Sequence, residues 1–170
     1  MDPRRFWSEV EAAKAASGAD SLRQATLLEE RLQQLPLPDI IGFQQRLEEL
    51  HAQSYRTDLW GAAIVIDGNC SEDCFFAFRG WLIGRGRRVY EAALAHPDSL
   101  ADCAELSDQP PSCDPLWGVA MAAYAARTGE ELPGLAGWPE RPLDPWWPRE
   151  RWEAELRRRY PRLWARCRGG

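Results

Sequence analysis

Lysine is nearly missing from this chain: Lys14 stands alone among 21 basic residues, so arginine carries almost all the positive charge. The arginines are mostly dispersed, which fits a compositional bias better than a phosphate-reading surface. The net charge of −5 argues against general nucleic-acid affinity and against a polybasic membrane patch. Histidine is scarce too. His51 and His96 are the only two, which leaves thin material for a histidine base or a Ser/His/Asp triad.

Long apolar runs are absent as well. No stretch approaches the ~18 consecutive apolar residues that a membrane-spanning helix needs. The opening MDPRRFWSEVEAAKAAS is amphipathic and lacks the apolar core of a signal peptide. The five cysteines form an odd set without a secretion signal, which points to reduced thiols in a cytoplasm. Cys70-x-x-x-Cys74 is the tightest pair, but Cys103 and Cys113 lie too far apart to complete a structural zinc site. These residues read as ordinary buried thiols, and neither a metal nor a cofactor is expected. Gly84-Arg85-Gly86 is too short for a phosphate-binding loop and reads as a helix kink or break. No internal repeat is visible.

What the chain does have is helical periodicity and nine tryptophans. At 170 residues it fits one domain that buries roughly two-thirds of its unfolded surface. Asp2-Pro3 opens a first helix with Phe6, Val10 and Ala13 on one face, ended by Gly18. Asp20 or Ser21 caps a second helix with a stripe at Leu22, Ala25, Leu28, Leu32 and Leu35. A third follows Asp39, burying Ile40, Phe43, Leu47 and Leu50, with His51 at the edge of that stripe.

Thr57 to Asp67 is apolar nearly all round and reads as a central helix closed by Gly68; a buried strand at 62–66 is the competing reading. Ser71 caps the next helix, where Phe75, Phe78, Arg79 and Leu82 share a face. Val89, Ala93 and Leu94 continue an apolar face to Pro97. One helical turn is expected near Ser99–Cys103. Asp114 then caps a helix with Trp117, Met121 and Tyr124 at helical spacing.

Residues 130–148 are rich in Pro, Gly and Trp, so they cannot form a regular helix. They are expected to wrap the helical body, with Trp138, Trp146 and Trp147 docking into grooves. A last helix carries Trp152, Leu156, Tyr160 and Trp164 and breaks at Pro161. Its eight arginines against three glutamates over 149–168 read as a solvated face. The fold expected is therefore mainly α: a single-domain bundle of about seven helices over 1–170.

The candidate site lies between the 57–67 and 71–84 helices. Tyr55, Arg56, Asp58, Trp60, Asp67, Glu72, Asp73, Arg79 and Trp81 supply charge and aromatic surface inside apolar sequence. An arginine on a buried stripe must find an acid or a ligand, because an unpaired buried charge is costly. Asp58 and Asp67 are the expected partners of Arg79. Glu72 and Asp73 also suit the first turn of a helix. A carboxyl beside tryptophan could serve as an acid or base.

The run TDLWGAAIVIDGNCSEDCFFAFRGWLIGRGRRVYEAAL, with FW near one end and YPRLWARC at the other, resembles the bacterial domain-of-unknown-function 4240 family. The matching positions are Tyr55, Arg56, Asp58 to Ala63, then Gly68, Cys70, Ser71 and Asp73, then Phe75 and Phe78 to Ile83. Asn69 departs from the small residue expected in the turn. The resemblance implies one fold over most of the chain and a bacterial, cytoplasmic origin, and it carries no mechanism over to this chain. Two functions stand side by side: a protein- or peptide-interaction module with a tryptophan-rich groove, and a small enzyme or small-molecule binder anchored by Arg79. Neither a nucleic acid nor a membrane is an expected partner.

Overall fold

The computed structural model describes residues 1–18, 20–104, 106, 114, 116–134, 143 and 151–169. Cys113, Trp138, Trp146 and Trp147 lie outside these residues, as does most of the expected wrap.

Helix α1 (Pro3–Ser17) begins where Asp2 accepts from the backbone N–H groups of Arg4 and Arg5, with Pro3 in the first turn. Gly18, at positive φ, ends it. Asp20 caps α2 (Ser21–Gln33) by accepting from Leu22 and Arg23. The two helices form a hairpin, and a later helix, α7 (Val119–Thr128), packs on α2 and on α3 (Leu37–Gln53). The third helix starts before Asp39, because Pro38 is tolerated in a first turn and Asp39 complements the positive helix end.

α4 (Thr57–Asp67) is a helix and not the competing strand. It is buried along almost its whole length, as its uniformly apolar sequence requires. Ser71 Oγ accepts from Cys74 N and opens α5 (Glu72–Gly84). Gly86, at φ +90°, separates α5 from α6 (Arg87–Ala95), so the GRG break is real. A 3₁₀ turn at Pro97–Asp102 follows, then α7 (Val119–Thr128), α8 (Trp152–Arg159) and α9 (Pro161–Arg168), the last two parted at Pro161. There are thus nine α-helices among the described residues, more than the seven expected, chiefly because two long helices are broken. No helix among them is long and apolar enough to cross a membrane.

The core gathers Phe6, Val10, Leu28, Leu32, Phe43, Leu47, Leu59, Phe75, Phe78 and Leu82. Three phases differ from the sequence reading. Leu22 is 67% exposed rather than in the α2 stripe, since at the helix start it faces away from α1 and α7. Tyr90, not Val89, is the large buried residue of α6. Along α7 and the turn before it the buried face is Leu116, Val119, Ala120 and Ala123, and Trp117, Met121 and Tyr124 are left half-buried. Small residues let α7 sit close to α2 and α3, which leaves its larger side chains half-buried at the edge of the core.

Candidate functional site

α5 carries Arg79 on its fully apolar face, one residue before Gly80. The side chain is 5% exposed. Its Nη1 donates to the carbonyl of His51 at 2.9 Å and its Nε to the carbonyl of Phe75 at 3.3 Å. The His51 carbonyl belongs to the last turn of α3, where backbone acceptors lack helical donors. Among the described residues three aromatic faces surround the guanidinium: Tyr55 at 4.9 Å, Phe75 at 5.1 Å and Phe76 at 5.6 Å from Cζ. Burial pushes the Arg79 pKa down to about 10, against the pull of Tyr55, Asp114 and Glu72, so it stays cationic at neutral pH.

The acids expected to face Arg79 are elsewhere, which corrects the sequence reading. Asp58 is held by Arg56 at 2.6 Å and accepts from Leu59 N, while Arg56 also donates to the carbonyl of Leu94. That pair ties the start of α4 to the end of α6. Asp67 is exposed at the far end of α4. The neighbour in the chain supplies no partner because α4 turns its two acids to its ends and the surface, whereas Arg79 points toward α3.

His51 provides the second half of the site. Its Nε2 lies 2.8 Å from Oδ2 of Asp114, and both side chains are 0% exposed. The contact is of hydrogen-bond length. Burial lowers the His51 pKa; Asp114 opposes that shift and Arg79 reinforces it. Asp114 Oδ1 accepts from Leu116 N, which sets the turn leading into α7. Its carboxylate rests on the bare backbone of Gly80, in space that a Cβ there would fill. The imidazole packs against Phe76 and edge-on to Trp117, with centroids at 5.1 and 5.3 Å.

Of the residues expected at the site, Tyr55, Glu72 and Arg79 come together. Tyr55 Oη is 3.4 Å from Glu72 Oε1, above the guanidinium, and burial followed by Glu72 raises the Tyr55 pKa. Trp60 donates to the Cys70 carbonyl at 2.8 Å and stacks on Phe75. Trp81 packs on Phe78 and lies 5.5 Å from the Arg85 Cζ, on another side of α5. Asp73 is exposed in the first turn of α5. Sequence reasoning missed His51 with Asp114. The one signal available was a histidine next to an apolar stripe.

Cys70 and Cys74 are joined by a disulfide across the start of α5, not held as separate thiols. One residue leads the helix cap and the other occupies its first turn, so the cap brings the two sulfurs together.

The family model for a protein of unknown function (DUF4240) matches residues 1–126. The chain belongs to that family. The match takes in α1 to α6 and nearly all of α7, and so every residue of the His51–Arg79–Asp114 cluster. No curated protein and no solved structure matches the chain.

Proposed function

We propose that the protein is a non-catalytic accessory module that binds a protein or peptide on the open face of α7. The observation that carries this reading is the stripe Trp117, Met121 and Tyr124, half-buried along α7 and the turn before it, beside a face that is fully buried. Tryptophan, tyrosine and methionine are enriched at protein interfaces and depleted from plain solvated surface. The buried polar centre lies directly beneath: Asp114 sets the turn into α7, and Trp117 rests on His51. That centre is closed, since neither His51 nor Asp114 offers side-chain surface to a substrate.

A nucleic-acid partner finds less support. The arginines of α8 and α9 are engaged with Glu153, Glu155 and Asp102, and with the carbonyls of Ala101, Cys103, Leu106 and Val65. The setting that goes with this reading is a bacterial cytoplasm.

A photo-crosslinking residue at position 121 tests the proposal in cells. The expected result is a discrete protein adduct that disappears when Tyr124→Glu is added, with the thermal melt unchanged. Absence of any adduct at positions 117, 121 and 124 sinks the reading. A second reading has one observation in its favour. Arg79 lies under the exposed rim formed by Tyr55 and Glu72, where a small anion could displace the Glu72 carboxylate. Native mass spectrometry of the purified protein would then show a retained ligand, lost in Arg79→Lys.

A further inference from the structure

The Cys70–Cys74 disulfide is unequally accessible. Cys70 is 6% exposed, among core residues, whereas Cys74 is half-buried. One carboxylate lies beside the reachable sulfur, and two more acids precede it in the same helical turn. Asp67 Oδ2 is 3.8 Å from Cys74 Sγ, and Glu72 and Asp73 are the two residues just before it; all three residues are exposed. Among the described residues one cation approaches: Arg168 reaches Gly68, but its guanidinium is held by the Val65 and Ile64 carbonyls. The local balance is therefore acidic.

We infer that Cys70–Cys74 is a reversible thiol-exchange site, opened at Cys74 and selective for thiols that carry positive charge. The first step is attack of an incoming thiolate on Cys74 Sγ. A mixed disulfide forms there, the Cys70–Cys74 bond breaks, and Cys70 leaves as a thiolate. A second thiolate attacks the outer sulfur of the mixed disulfide and departs as the oxidised small-molecule disulfide. Cys74 is released as a thiolate, and water supplies a proton to each cysteine. Two electrons pass from two small thiols to one protein disulfide, and the reverse sequence re-forms the bond.

Selectivity follows from charge. Glutathione arrives as a multiply anionic thiolate and meets three carboxylates. Cysteamine arrives with its ammonium group cancelling the thiolate charge. 2-Mercaptoethanol lies between them. Focusing of like or opposite charge at a surface changes encounter rates by about tenfold or more at low ionic strength. At about 1 M salt the Debye length shrinks to roughly 3 Å and the difference should collapse. This inference is independent of what binds α7.

The test uses the full chain, oxidised mildly, then reduced separately by cysteamine, 2-mercaptoethanol and glutathione. Quenching with an alkylating agent and peptide mass mapping distinguish Cys70 and Cys74 from the other three cysteines. Rates are expressed per thiolate and corrected for nucleophilicity. The expected order is cysteamine, then 2-mercaptoethanol, then glutathione, with roughly a tenfold span at low salt. The mixed disulfide should map to Cys74 alone, and Asp67→Asn should narrow the span. Equal corrected rates at low salt, or a mixed disulfide on Cys70, would overturn the inference. So would native oxidised protein in which both residues are still alkylated.

Discussion

The carboxylate of Asp114 occupies the space that a side chain at residue 80 would need, so Gly80 and Asp114 are two halves of one contact. A buried carboxylate against bare helix backbone is possible only because α5 has no Cβ at that point. The same carboxylate reaches His51 on α3 and the N–H of Leu116 ahead of α7. Three helices are thereby joined through one small buried group.

Gly80→Ala should therefore destabilise the protein although alanine is the better helix former. Relief of glycine's propensity cost is worth about 1 kcal/mol. Overpacking a closed contact costs roughly 1–3 kcal/mol, and displacing Asp114 from His51 adds to that. A net loss of about 2 kcal/mol is expected in urea denaturation. In an Asp114→Ala background the same substitution should cost far less, because the obstructing group is gone. Equal costs in both backgrounds would show that Gly80 matters for some other reason.

Much of this architecture could be read in advance, and the limits are physical. Phe6, Val10 and Ala13, or Ile40, Phe43, Leu47 and Leu50, repeat at helical spacing, and all are buried. The breaks at Gly86 and Pro161 follow from backbone chemistry alone. Periodicity defines an apolar arc, however, and not which edge of it meets a neighbour. In α7 small residues won the inner face and the aromatic residues were left at its half-buried edge. Polar partners distant in sequence are less legible still. Arg79 had to find something inside the protein, but its partner proved to be a helix-end carbonyl on α3, and its acids Asp114 and Glu72.

Arg79→Ala should unfold or severely weaken the chain, because it strips the His51 and Phe75 carbonyls of a donor and empties an aromatic cage. Losses of about 3–5 kcal/mol accompany removal of one member of a buried charged network. Arg79→Lys keeps the charge but not the planar fork that spans both carbonyls, so an intermediate loss of roughly 1–2 kcal/mol is expected. Chemical denaturation of the two variants beside the wild type checks the order. A fully stable Arg79→Ala protein would mean that this arginine serves a ligand instead of the scaffold.

His51 makes stability depend on pH in a defined direction. Burial holds its pKa below the ordinary 6.5, with Asp114 opposing and Arg79 assisting. The folded state therefore binds its proton less readily than the unfolded chain does. Stability is complete above pH 6.5 and falls as pH drops from there toward the lowered folded value. The slope cannot exceed about 1.4 kcal/mol per pH unit for one group. Denaturation midpoints between pH 7.5 and about 5.5 should fall in the wild type and stay flatter in His51→Gln. A slope of the opposite sign would indicate that Asp114, not burial, governs the imidazole.

The family match ends at residue 126, yet the last two helices are built into the body of the molecule. Leu156, Tyr160 and Leu163 are buried, and Tyr160 donates to the Asp58 carbonyl at 2.6 Å. Arg168 Nε donates to the Val65 carbonyl at 2.9 Å, at the end of α4 where helical carbonyls have no helical donors. These contacts cover the start and end of α4, the most uniformly apolar helix in the chain. A chain stopped after residue 150 would leave that helix facing water on one side and should lose its cooperative thermal transition. Arg168→Ala removes only the donor at the helix end and should cost about 1–2 kcal/mol. If the shortened chain melts at the full-length temperature, then α8 and α9 are an appendage, and the centre of the fold stands without them.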